Sequence, residues 1–253
     1  MAENDKALIR FRDVPLALSL LSRLPVPVRH YERGARAAWA YPLAGVVLGG
    51  LAAFGGLVAL WLGWPTPLVA LLVLATPILL SGALHEDGLA DTADGLWGGW
   101  TRERRLAIMK DSHIGSYGVI ALILSLGARG VALWLLFEAS PAIATAALLA
   151  AAMLSRAMMP VVMAALPHAR DTGLSQAQGR PPVAPVTLGI GLAAAGTFAL
   201  LGGGAGLAAL VCAGFTTLAI ALIARAKIGG QTGDILGATQ QLAEIAVLIS
   251  LLP

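Results

Sequence analysis

From residue 39 onward, long apolar runs broken by short polar stretches dominate the chain. An α-helix needs roughly 20 apolar residues to cross about 30 Å of hydrocarbon. Seven runs meet that length: 39–63, 65–84, 115–137, 141–165, 183–203, 206–224 and 235–252. Several contain Pro or Gly, which membrane helices tolerate. The pattern predicts an all-α, polytopic membrane bundle of about seven transmembrane helices forming a single catalytic domain over 1–253. Residues 1–38 form a basic N-terminal segment and 85–114 a long polar loop. The tight Trp64-Pro65 turn also allows the first two runs to be a re-entrant pair.

Composition agrees with this pattern. Apolar residues make up 58% of the chain and charged residues only 12%, whereas a soluble domain is about a quarter charged. Cys212, the single cysteine, lies in an apolar run, which excludes a disulfide framework and a thiolate metal cluster. The opening residues are polar and lack the apolar core of a secretory signal. The net charge is +3, but the basic residues sit in short blocks between apolar runs, which argues against a nucleic-acid partner.

Those blocks set an orientation. Lys6, Arg10, Arg12, Arg23, Arg29, Arg33 and Arg36 precede the first run, and Arg102, Arg104, Arg105 and Lys110 follow the second. Arg170, Arg180, Arg225 and Lys227 lie in later loops on the same side, and only Arg129 and Arg156 fall inside predicted helices. Positive charge stays inside, so the N-terminus and long loops are expected to be cytoplasmic. Every acidic residue except Glu138 is on that side or in that half of a helix. The stretch 183–210 is rich in Gly and Ala, which suits close helix packing.

Candidate chemistry concentrates at His85-Glu86-Asp87-Gly88-Leu89-Ala90-Asp91-Thr92-Ala93-Asp94-Gly95. On a helix, Asp87, Asp91 and Asp94 occupy one face within roughly a 60° arc. Three such carboxylates repel one another and call for a hard divalent cation, Mg²⁺ or Mn²⁺. His85 points to the opposite face, as a supporting group and not a ligand. Downstream, Arg105, Lys110, Asp111 and Ser112 lead into Gly115-Ser116-Tyr117-Gly118. Cations, hydroxyls and glycine N–H groups beside a carboxylate-held metal suit a diphosphate substrate.

A third cluster opens the last helix. Asp234, Gly237, Gln241 and Glu244 fall within about 80° of one face, with Glu244 ~15 Å beyond Asp234. A carboxylate that deep needs a polar surround. Arg156 reaches a similar depth and is expected either to pair with Glu244 or to grip a substrate phosphate. Arg129 has no evident partner in the sequence and is read as structural.

These residues resemble a known family, the cobalamin synthases or adenosylcobinamide-GDP ribazoletransferases. Ser22-Arg23-Leu24-Pro25-Val26-Pro27 is similar to the family's opening motif, His85 to Gly95 to its acidic signature, Ile108-Met109-Lys110-Asp111-Ser112 to its loop signature, and Gly229 to Ala238 to its last-helix signature. Departures are Glu86 for an apolar residue, His113 for Arg and Ile235 for Thr. The resemblance implies a Mg²⁺-dependent membrane transferase of the last assembly step of cobalamin biosynthesis. Adenosylcobinamide-GDP and α-ribazole, or its 5′-phosphate, would give adenosylcobalamin, or its 5′-phosphate, and GMP. The Asp-x-x-Asp-Gly core at Asp91 also resembles part of the CDP-alcohol phosphotransferase signature, although the rest of that signature is absent.

Joined to the residue reading, the resemblance gives Asp87, Asp91 and Asp94 the metal, with Asp111, Asp234 and Lys110 as catalytic groups. Asp111 or Asp234 would complete the metal shell or accept the attacking hydroxyl's proton, while Lys110 and Arg105 would steady GMP. Ser112, Arg156, Gln241, Glu244 and His85 join Arg105 in binding substrate. The expected setting is a bacterial inner membrane with the active site facing the cytoplasm, membrane lipid around the protein, and association with a second copy or with neighbouring pathway enzymes. The competing reading, an ion-coupled transporter, fits less well because the acids gather on one side and no inverted repeat is apparent.

Overall fold

A computed structural model describes residues 7–28 and 31–252. Lys6 and Arg29 of the basic N-terminal segment lie outside the described residues. The helices are α1 (Asp13–Leu21), α2 (Tyr41–Trp61), α3 (Thr66–Ser81), α4 (Leu84–Gly98), α5 (Arg102–Ile108), α6 (Ser116–Ala139), α7 (Pro141–Ala165), α8 (Leu174–Gln178), α9 (Val183–Leu201), α10 (Gly203–Ile228) and α11 (Gly233–Ser250). A 3-10 segment, Gly34–Ala40, leads into α2.

The apolar runs become helices nearly where the pattern places them. α7 coincides with 141–165, because Ser140 accepts the Ile143 N–H and Pro141 opens the first turn. Among the described residues, five helices are long and apolar enough to cross a membrane: α2 with its 3-10 lead, α6, α7, α9 and α10. The bent pair α3 and α4 is a sixth when counted as one broken span. α11 has 18 residues but carries Asp234, Gln240, Gln241 and Glu244, and falls short of the others in apolarity.

α7 is the central post, with 83% of its apolar window buried, against 28% for α6, α9 and α10. α2, α9 and α11 pack around it. A methyl group on Gly45 of α2 would overlap the Ala152 carbonyl of α7, so these helices meet backbone to backbone. Outward-facing Phe54, Leu71, Ile123, Leu124, Phe215 and Leu222 are exposed, as a lipid-facing surface requires.

The run 65–84 does not form one straight span. Gly82 and Ala83 both adopt the left-handed conformation, at φ 66° and 58°, and α4 leaves at 86° to α3. Ala83 is the only described non-glycine residue with positive φ, a conformation that costs an L-residue roughly 1–2 kcal/mol. The stretch 85–114, expected as a loop, is instead largely two helices, α4 and α5. At the N-terminal end, Asp13 is fully buried and accepts both Arg33 Nε–H at 2.8 Å and Trp39 Nε1–H at 2.7 Å. That ion pair holds α1 against the 3-10 segment.

Candidate active site

The site forms where α4 crosses α11. Gly88 and Gly237 face each other: a methyl group on Gly88 would lie 3.0 Å from the Asp234 carbonyl and 3.1 Å from the Gly237 Cα. Only glycine on both sides permits this approach, which brings the acidic face of α4 against the start of α11. Asp87 is exposed and Asp91 half-buried. Asp91 lies within electrostatic reach of Asp87, Asp234 and Asp94.

Asp234 stands in the first turn of α11, where the helix dipole favours negative charge. Its Oδ2 accepts from Arg170 Nη2 at 3.0 Å and from Thr232 Oγ1 at 3.1 Å. Thr232 also caps the helix by accepting the Ile235 N–H. The loop before α11 is fixed by Gln231, whose N–H donates to the Pro167 carbonyl at 2.8 Å and whose side chain meets Ser175 and His168.

Asp94 departs from the expected metal role. Its carboxylate accepts the N–H of Gly115 at 2.7 Å and of Gly118 at 2.9 Å, at the N-terminus of α6. The glycine amides expected to meet a phosphate are therefore used by Asp94. A methyl group at either glycine would overlap that carboxylate. Asp87, Asp91 and Asp94 share a helix face as their spacing requires, but they do not converge as one ligand set. Among the described residues, no three His, Cys, Asp or Glu side chains stand close enough together to hold a metal ion.

The expected phosphate-binding cations are spent elsewhere too. Arg105 donates to the carbonyls of Gly99 at 2.9 Å and Lys227 at 3.0 Å. Arg102 likewise donates to Ile228 and Ala169. Both clamp the loop to the C-terminus of α10, where carbonyls lack helical partners. Lys110, Asp111 and Ser112 are exposed on the loop. Asp111 accepts from the His113 backbone N–H at 3.2 Å and meets His113 Nδ1 at 2.6 Å. This bond lowers the Asp111 pKa and raises that of His113.

Arg156, Gln241 and Glu244 lie below the site in a buried polar network. Glu244 stands 3.9 Å from Arg156 and 3.5 Å from Arg129, and accepts from Gln240 at 2.6 Å. Gln241 donates to Glu86 at 3.0 Å and accepts from Ser125. Of the two alternatives for Arg156, the arrangement provides the Glu244 partner. Arg129 is not partnerless: it is 1% exposed and donates to Glu86 at 3.1 Å. Two carboxylates and two guanidiniums balance, which makes charge at this depth tolerable.

His85 is 2% exposed and lines a cavity of about 130 Å³ beside Asp87, Arg170 and Asp234. A second, more open cavity of about 330 Å³ is lined by Asp94, Asp111, His113 and Tyr117. Sequence reasoning counted Arg170 only as a topological charge. Its proximity to Asp234 depends on the Pro167–Gln231 backbone contact, which no local pattern signals.

With this geometry in hand, comparison with known proteins is decisive. Residues 13–252 match the family described as cobalamin-5-phosphate synthase. The chain belongs to that family. It is 46% identical over 243 residues to the adenosylcobinamide-GDP ribazoletransferase of Bradyrhizobium diazoefficiens, covering 94% of this chain and 92% of that protein. The enzymes of the same name from Sinorhizobium medicae and Azorhizobium caulinodans are each 45% identical, over 93% and 95% of this chain and 94% and 95% of their own lengths. No solved structure matches the chain. In this cobalamin-5-phosphate synthase all four sequence motifs meet at one end of the bundle. The opening motif reaches it through the Arg23 N–H, which donates to the Leu80 carbonyl at 2.7 Å beside the α3–α4 bend.

Proposed function

We propose that the chain is an adenosylcobinamide-GDP ribazoletransferase. A hydroxyl of α-ribazole, or of its 5′-phosphate, attacks the phosphorus joined to cobinamide; a new P–O bond forms, the anhydride bond breaks and GMP leaves. The observation that carries this reading is the Gly88–Gly237 crossing, which sets Asp87 and Asp91 beside Asp234 and Arg170.

The donor set suits Mg²⁺. This ion keeps several waters and commonly binds through one or two carboxylates together with substrate phosphates, so a complete protein cage is not required. Asp87 and Asp91 are the residues we assign to hold it, and the ion supplies charge neutralisation to the diphosphate. Both hydrogen bonds to Asp234 fall on Oδ2, and we assign Oδ1 to accept the hydroxyl proton. Arg170 offers the remaining positive charge to a phosphate oxygen. Lys110, Ser112 and His113 line the approach of the leaving GMP. We place this face on the cytoplasmic side of a bacterial inner membrane, since the basic loop residues gather there.

The purified protein in lipid, given adenosylcobinamide-GDP, α-ribazole and Mg²⁺, is expected to release GMP and cobalamin in equal amounts. EDTA should stop the reaction, and Asp91→Asn should lower kcat by about a hundredfold or more. Folded wild-type protein that yields neither product sinks the reading.

His113 adds a pH dependence. Its cation is favoured by Asp111, so its pKa lies above the ordinary 6.5. Below that raised pKa the ring is positive and attracts the diphosphate; as pH rises through it, the attraction is lost. KM for the GDP substrate is therefore expected to rise with pH above neutrality, and His113→Arg should flatten the profile. Identical profiles for the two proteins would remove His113 from phosphate binding.

A further inference from the structure

The cavity beside His85 has a chemistry that the diphosphate site does not use. Its inner wall is apolar, built from Leu20 and Leu21 of α1, Tyr41 of α2, and Met159 and Met163 of α7. Its other side carries Asp87, Arg170 and Asp234, the groups assigned above to phosphoryl transfer. His85 stands between them, with neither ring nitrogen hydrogen-bonded among the described residues although the side chain is almost fully buried. Buried polar groups normally find partners, so this imidazole lacks one that a ligand would provide.

We propose that this cavity is the acceptor subsite and takes the aromatic base of α-ribazole, with its ribose turned toward Asp87 and Asp234. The proposal rests on the transferase reading and says which substrate goes where. Size is the first argument. The cavity, at about 130 Å³, is close to the roughly 150 Å³ cavity that encloses one benzene ring; with an open side, it suits a flat aromatic base and excludes a corrin ring.

Polarity is the second argument, because guanine is also a flat bicycle. Guanine carries several donors and acceptors along one edge, and burying them against Leu, Met and Tyr without partners costs roughly 1–3 kcal/mol each. A methylated benzimidazole has apolar edges and one unsubstituted ring nitrogen, an acceptor. The two methionines adapt to such a shape, the Tyr41 ring offers an aromatic surface, and the unpartnered His85 can donate to the lone nitrogen.

Position is the third argument. The two cavities lie at successive turns of α4, the first at Asp87 and Gly88 and the second at Asp94 and Gly98. Asp91 lies between those turns. A nucleoside entering by the first and the bulky GDP substrate by the wider second would bring hydroxyl and diphosphate together at Asp91.

The test uses the full chain in lipid nanodiscs with Mg²⁺, comparing wild type with Leu21→Phe, Met163→Phe and His85→Phe, each checked for wild-type melting. The two wall variants fill the cavity and should raise KM for α-ribazole about tenfold while leaving KM for adenosylcobinamide-GDP within about twofold. They should also shift the preference between α-ribazole and the riboside of unmethylated benzimidazole about tenfold toward the smaller base, a change that general loosening would not produce. His85→Phe should weaken equilibrium binding of α-ribazole, measured without the GDP substrate. An altered KM for adenosylcobinamide-GDP with α-ribazole kinetics and base preference unchanged overturns the subsite and leaves the transferase reading intact. Wild-type protein that binds α-ribazole, loses it in Leu21→Phe and forms no product keeps the subsite and overturns the transferase reading.

Discussion

The double variant Gly88→Ala/Gly237→Ala is expected to lower kcat about a hundredfold while the bundle stays helical. A methyl group on Gly237 would stand 3.2 Å from both the Gly88 Cα and the His85 carbonyl oxygen, and one on Gly88 would stand 3.0 Å from the Asp234 carbonyl. Every one of these neighbours is backbone, so no rotamer change relieves the contact. α4 must move away from α11, and the carboxylates of Asp87 and Asp91 move with it away from Asp234 and Arg170. A shift of about 1 Å at a reacting centre costs on the order of a hundredfold in rate. Each single variant should show a smaller loss. Gly50→Ala and Gly127→Ala are the controls, since nothing lies within 4 Å of a methyl group at either position; both should retain wild-type kcat. GMP release measured beside thermal melting separates the site from the fold. A double variant with wild-type kcat would show that the close crossing does not set the site.

The crossing also shows what a sequence conveys and what it conceals. The bilayer imposes a length on every span, so the apolar runs were legible and α7 coincides with its predicted bounds. The face shared by Asp87, Asp91 and Asp94 followed from helical spacing alone. The use of Asp94 did not, because its partners Gly115 and Gly118 lie beyond α5 in the chain. The available signal was a helix opening at Ser116 with no side-chain cap of its own. The bend at Gly82 and Ala83 was concealed because an alanine in the left-handed region has no sequence mark, and Gly82 read as one more small residue of a span. Long-range pairs were the least legible. Arg129 and Glu86 are 43 residues apart, and Arg170 and Asp234 are 64 apart; each pair meets only because the bundle closes.

The buried network below the site gives the second large effect. Glu244→Ala is expected to destabilise the protein by about 3–5 kcal/mol, the usual cost of leaving a buried charge unpaired. Glu244 is the hub: its two oxygens face Arg129 at 3.5 Å and Arg156 at 3.9 Å and accept from Gln240 at 2.6 Å. Without it, two buried guanidiniums share the single carboxylate of Glu86. Arg129 retains Glu86 at 3.1 Å, but Arg156 keeps only its bond to the Ala152 carbonyl. Glu86→Ala removes the same charge and should cost less, because Glu244 still faces both guanidiniums. Glu244→Gln preserves the size and polarity of the hub and removes only its charge, so its loss should be intermediate. The double variant Arg156→Met/Glu244→Leu leaves one cation and one anion, Arg129 and Glu86, and should recover most of the stability lost in Glu244→Ala. Unfolding followed in detergent for the four variants distinguishes charge balance from packing. Recovery in the double variant identifies balance as the cause, whereas a double variant as unstable as Glu244→Ala would assign the loss to the shape of the Glu244 side chain and its bond to Gln240.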